Sequence, residues 1–127
     1  PSGKYMSLYK RWHLIGLELA ISIASIGIRK EATGASVCFN ADCVAIAKRN
    51  LKVGEILDGE GGYTVSGGIR PASKSIKNNY LPLGLAHNIS LIKPIDDGQV
   101  ITWNDVKVDP NLIAYKLRKE MEVNFNL

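Results

Sequence analysis

Residues Val44 to Gly62 read VAIAKRNLKVGEILDGEGG, and their pattern decides the fold. An alternating apolar run, Val44-Ala45-Ile46-Ala47, leads into Lys48-Arg49. Alternation of this kind places successive side chains on opposite faces of a β-strand. Leu51-x-x-Gly54-Glu55-x-Leu57 follows, with Gly54 suited to a positive φ in a turn and Glu55 to Leu57 to a short second strand. Asp58-Gly59-Glu60-Gly61-Gly62 is then a polar, glycine-rich loop. The core pattern returns as Ile95-x-x-Gly98-Gln99-x-Ile101, so that Leu51 aligns with Ile95 and Gly54 with Gly98. A strand ending in lysine precedes each copy, Ala45 to Lys48 and Ser90 to Lys93, with this upstream part offset by one residue. Each strand-turn-strand unit is too small to bury its own apolar face. The two are therefore expected to pair around one shared core.

Upstream, Lys4 to His13 is basic and aromatic, and Leu14 to Ile28 is apolar with one charge at Glu18. Fifteen residues fall short of the roughly 20 needed to cross a bilayer. The run predicts a long apolar helix, with Arg29 and Lys30 placed to meet its C-terminal dipole. Leu14, Leu17, Ile21, Ala24 and Ile28 form one stripe, but Ile15, Leu19, Ile23 and Ile26 make the other sides apolar too. Such a helix needs burial on several faces. It is either a central core helix or one that belongs to a preceding domain or an oligomer contact. Residues 31–43 read as a linker. Downstream, Tyr63 to Val65 reads as a strand and Ser66 to Asn79 as a long loop holding at most a short helix. Tyr80 to Asn88 is apolar and turn-rich. Ile89 to Ile92 and Gln99 to Thr102 read as strands on either side of the Asp96-Asp97-Gly98 turn, and Trp103 to Val106 as a tight turn. Asp109 and Pro110 fit an N-cap and first helical position, opening a helix to about Val123 whose last residues fray. The expected class is α+β. A helical segment (1–35) precedes a β-rich domain of short strands (42–108), and a C-terminal helical tail (109–127) follows.

The 127 residues suffice for one core, and 46% apolar content with mean hydropathy near zero (−0.01) excludes a disordered chain. The formal charge of +4 is mild and its Lys and Arg are scattered, which points away from nucleic acid. Cys38 and Cys43 with only His13 and His87 do not make a zinc pattern. Without a leader-like N-terminus, both cysteines are expected reduced and half-buried in a cytoplasmic protein, away from membranes. The chain begins Pro1-Ser2-Gly3, which fits a fragment or a processed chain.

The Val44–Lys48 strand, the Leu51–Leu57 motif and the closing Ile95-x-x-Gly98-Gln99-x-Ile101-Thr102-Trp103-x-Asp105-Val106 resemble the SAF family of β-clip domains, over about residues 42–108. That family is related to antifreeze proteins, the C-terminal domain of sialic acid synthases and flagellar P-ring chaperones. A closer resemblance takes in His13-Leu14-Ile15-Gly16-Leu17-Glu18, Leu57-Asp58-Gly59-Glu60-Gly61-Gly62-Tyr63-Thr64-Val65 and Leu81-Pro82-Leu83-Gly84-Leu85-Ala86-His87. These strings are similar to the C-terminal part of homoserine-dehydrogenase-like NAD(P) oxidoreductases that carry a SAF domain. The resemblance implies a parent enzyme acting on a hydroxy acid or similar metabolite, with NAD(P) bound elsewhere. The first residues would be the tail of its catalytic domain. No G-x-G-x-x-G follows a strand here, so this stretch has no cofactor site of its own and no turnover is expected from it alone.

The candidate ligand residues are Lys48, Arg49, Glu60, Tyr63 and His87. Lys48 and Arg49 can hold a carboxylate or phosphate, though a solvated strand end is the simpler reading. Glu60 between glycines is either presented by a tight loop or merely part of a turn. His87 can meet an acidic ligand or donate a proton, but a turn histidine bonded to backbone is favoured. His13 and Glu18 are five apart and share a helical face poorly. No catalytic residue and no metal ligand is assigned. The expected partners are the parent's catalytic domain, a small polar or sugar-acid ligand, and further copies of the chain in a homo-oligomer. A free-standing module of the flagellar P-ring assembly type is the alternative. An ice-binding face is weaker still, because Thr33, Thr64 and Thr102 are too few and dispersed.

Overall fold

The computed structural model describes residues 7–34 and 36–125. It divides into two compact units, Pro1–Val37 and Cys38–Leu127. The expected fraying of the last residues and the first part of the basic N-terminal segment lie outside the described residues.

In the first unit the apolar run forms a ten-residue helix, α1 (Ile15–Ala24), continued by a π-helical turn over Ser25–Arg29. One long α-helix was expected. The Lys30 N–H reaches back five residues to the Ser25 carbonyl, with Lys30 itself left-handed at φ 59°. That bond widens the last turn. No residue of α1 is buried, and its large aliphatic side chains are all more than half exposed. Among the described residues no helix is long and apolar enough to cross a membrane.

The second unit is mixed α and β, with two small antiparallel sheets. β1 (Ala41–Ala47) pairs with β3 (Val65–Pro71), from Ala41 opposite Pro71 to Ala47 opposite Val65. β2 (Ile56–Asp58) pairs with β4 (His87–Ser90), and a bulge falls between Leu57 and Asp58, where Asn88 adopts φ 54°. β1 thus begins three residues before the expected Val44. The segment read as a loop from Ser66 holds most of β3 and then α2 (Ala72–Lys77). Two glycines hid that strand, and packing explains them. A Cβ on Gly67 would stand 2.8 Å from both Cys43 Sγ and Leu83 Cδ2, and one on Gly68 would stand 2.4 Å from Ile46 Cδ1. Gln99 to Thr102 is not a strand. Val100 bridges to Ile46 and Thr102 to Tyr80, as isolated pairs. Trp103–Asp105 is a 3₁₀ turn, and α3 runs from Ile113 to Asn124. Asp109 does not cap α3. Its side chain accepts the Asn111 N–H (2.9 Å) in a separate turn, and the helix starts from Leu112 without a side-chain cap. Both cysteines are free thiols, and both are exposed rather than half-buried.

The two motif copies meet at their own equivalent positions. Leu51 and Ile95 exchange both backbone bonds, at 2.8 and 3.0 Å. Other bonds come in pairs related by the same 44-residue shift. Gly54 N–H donates to Leu91 O (2.8 Å) as Gly98 N–H donates to Ala47 O (3.0 Å). Leu91 N–H donates to Glu55 O as Ala47 N–H donates to Gln99 O, each at 2.9 Å. The expected one-residue offset upstream is therefore absent: Lys93 corresponds to Arg49, not Lys48. Leu51, Leu57, Ile95 and Ile101, all within 2% of full burial, lie in one core with Ala45, Ala47, Ile89 and Leu91. The unit is a pseudo-two-fold pair around a single core.

Gly54 (φ +83°) and Gly98 (φ +75°) turn the chain at matching points, and a Cβ on either would meet open space. Their replacement by alanine carries only the backbone penalty, so each substitution should cost about 1–2 kcal/mol. Urea unfolding of the two variants checks this. A loss at one position and none at the other would break the equivalence.

Candidate functional site

The loop from Asp58 to Thr64 is built around one carboxylate. Asp58 Oδ2 accepts the Tyr63 N–H (2.6 Å) and Oδ1 accepts the Thr64 N–H (3.0 Å). The Thr64 hydroxyl also donates to Oδ1 and accepts the Asp58 N–H (3.0 Å). Gly62 makes room for this, since a Cβ there would lie 2.2 Å from the Asp58 carboxyl carbon. Gly59 and Gly61 supply left-handed turns at φ +76° and +78°. The Thr64 hydroxyl, then the Tyr63 and Thr64 amides, hold the Asp58 carboxyl at a pKa of about 2, against a smaller opposing effect of desolvation. The glycine-rich string is thus a braced loop. The sequence reading took Asp58 only as the loop's first residue and missed this role.

Four of the five candidate residues gather at this loop. Lys48 Nζ donates to the Gly62 carbonyl at 2.5 Å. His87 Nδ1 lies 3.0 Å from the Asp58 carbonyl, so Nδ1 is the donor in this bond. The ring packs on Gly59, where a Cβ would stand 3.0 Å from Nδ1. Glu60 is exposed at the loop, and the Tyr63 side chain is 86% exposed. Arg49 is turned aside to pair with Glu55, which also accepts the Lys52 N–H (3.0 Å). The bond to Arg49, then that amide, lowers the Glu55 pKa, and the bond to Glu55 raises that of Arg49.

The equivalent place in the second copy is the Trp103–Asp105 turn. There Asp105 Oδ2 accepts the Thr102 N–H (2.9 Å) and hydroxyl (2.6 Å). The carboxylate and the hydroxyl have exchanged places between the copies. Six positions separate Asp58 from Thr64, but only three separate Thr102 from Asp105. The candidate loop is therefore the larger of two related turns, and its extra residues break the repeat.

A second polar cluster escaped the sequence reading altogether. Asp42 on β1 is 6% exposed and accepts the Ser75 hydroxyl (2.6 Å) and both terminal nitrogens of Arg118 (3.1 and 2.7 Å). Its partners lie 33 and 76 residues away along the chain, beyond any local pattern. In the first unit, His13 precedes α1 instead of sharing its face. Its Nδ1 lies 2.6 Å from Glu18, which also pairs with Lys10. Among the described residues no group of three or more His, Cys, Asp or Glu could hold a metal ion. Compared with protein-family models and with curated protein sequences, the chain matches neither.

The depressed pKa of Asp58 sets a pH dependence. Its folded value of about 2 lies below the ordinary 3.8, so its stabilising effect is complete above the ordinary value. The effect should fade as pH falls from 3.8 toward 2. Asp58→Asn should flatten the stability profile across that window relative to the unsubstituted chain. Acid titrations followed by circular dichroism measure it, and parallel profiles would contradict the bracing role.

Proposed function

We propose that the chain is the SAF-like, β-clip C-terminal part of a homoserine-dehydrogenase-like NAD(P)-dependent oxidoreductase. On this reading the segment before residue 36 is the end of the catalytic domain, and the β-rich unit completes a substrate pocket. The observation that carries it is the braced Asp58–Thr64 loop with Lys48 and His87 against it. Rigid glycine-rich loops suit a ligand because little order has to be gained on binding. Lys48 keeps donors beyond the one it gives to Gly62, and they can take a carboxylate. The Tyr63 hydroxyl and His87 Nε2 add hydrogen-bonding groups for sugar or hydroxy-acid hydroxyls. The ligand class is thus a small polar acid. NAD(P) belongs to the parent's other domain, and this stretch is not catalytic alone. The exposed aliphatic surface of α1 supports its packing on that domain or in a homo-oligomer.

NMR titration with a panel of hydroxy acids and sugar acids tests the ligand class. Shifts should cluster at Lys48, Tyr63 and His87, and Lys48→Met should weaken binding by about 10- to 100-fold, the worth of a charge-assisted bond. Binding that is absent across the panel, or that is indifferent to Lys48→Met, would remove the pocket role. Light-scattering mass with and without residues 1–30 tests the other half. An associated full chain and a monomeric, folded truncation are expected. A monomeric full chain whose truncation unfolds would make α1 the domain's own core.

A further inference from the structure

α3 is attached to its unit differently from every strand. The apolar core draws on residues from Ala45 to Val106, with Leu85, Trp103 and Val108 packed against it, and takes nothing from α3. No residue of α3 is buried. Among the described residues its backbone bonds run only within itself or to its flanking residues Leu112 and Phe125, and Leu112 N–H bonds only to the Asp109 carbonyl (3.3 Å). Among the described residues its side chains engage the unit at two places, around Arg118 and at Trp103. Arg118, 10% exposed, grips Asp42 with two nitrogens, while its guanidinium carbon lies 5.0 Å from the centre of the Phe39 ring. Tyr115 stands edge-on to Trp103 with ring centres 5.3 Å apart, and Lys119 Nζ lies 5.2 Å from the Trp103 ring.

The receiving side of the first contact does not depend on α3. Asp42 belongs to β1 and is held by the Ser75 hydroxyl from α2, itself 1% exposed. A buried, bidentate ion pair fixes geometry strictly, yet its attraction is largely offset by the water both ions give up. Apolar burial holds the core, and its loss is far costlier. The Asp109–Asn111 turn between Val108 and Leu112 closes on its own bonds and can swing without breaking any bond of the core. Such differences in cohesion make separate opening units.

We propose that α3 is a releasable strap, latched by Arg118 in a preformed guanidinium-receiving site made of Asp42, Ser75 and Phe39. It undocks as a unit while the β-rich core stays folded. The vacated site then accepts another guanidinium group.

Amide hydrogen exchange on the whole chain tests the strap. The amides of α3 should exchange through an opening of their own, well before those of β1 and β3. Asp42→Asn and Arg118→Met should each speed α3 exchange by about a few hundredfold to a few thousandfold, the scale for removing one partner of a buried pair, and leave the core amides unchanged. Arg118→Met keeps the Asp42–Ser75 bond and carries the test if Asp42→Asn does not fold. In Arg118→Met, added ethylguanidinium should shift the Ser75 and Phe39 resonances, and in the unsubstituted chain it should not. Common protection of α3 and β1, or variants that accelerate both alike, would make α3 an integral part of the fold. An intact core with no ethylguanidinium shift in Arg118→Met would overturn the receiving site.

Discussion

The paired backbone bonds between Leu51 and Ile95 are the constraint on which the β-rich unit depends. They join the two motif copies at the same position of each, so any further contact made by one copy is available to the other. The turns at Gly54 and Gly98 then reach across to opposite copies, and the apolar side chains of both close on one core. Strand-turn-strand units of this size do not hold together singly. The arrangement solves that by making each copy the other's missing layer. Sequence identity between the copies is slight because the bonds that matter are backbone bonds, which ask of each position only burial, turn conformation or room.

That explains which parts of the fold were legible. Leu51, Leu57, Ile95 and Ile101 announce themselves by spacing, and Gly54 and Gly98 by the left-handed turn they permit. β3 did not, because Gly67 and Gly68 are present for the space they leave to Cys43, Leu83 and Ile46, and those contacts are not local. Gln99 to Thr102 has the composition of a strand, yet its pairings go to separate places, Ile46 and Tyr80. Asp109-Pro110 has the composition of a helix start, but the Asp109 side chain is spent on Asn111 before α3 begins. Of the candidate site, the loop and its neighbours Lys48, Tyr63 and His87 could be picked out by residue type. The role of Asp58 could not, since it rests on which amides its carboxylate reaches. The Asp42–Ser75–Arg118 cluster left no trace in the sequence, because its members lie on three separate elements, 33 and 76 residues apart, beyond the reach of any local pattern.

Where the two copies differ is more informative than where they agree. Asp58 with Thr64 and Asp105 with Thr102 perform the same bracing with the two side chains exchanged, so the turn itself is a shared structural need. What is not shared is the length of chain between them. The short turn presents Trp103 as a seat for Tyr115 and Lys119, and α3 lies against it. The long turn carries Glu60 and Tyr63 outward. One end of the pseudo-symmetric pair is given to holding the C-terminal helix, and the other is braced but left exposed. A loop that needed only to close the chain could have stayed as short as its counterpart. The extra residues are held by the Asp58 carboxylate through its bonds to the Tyr63 and Thr64 amides, and under the proposed function they are the part of the unit offered to a ligand.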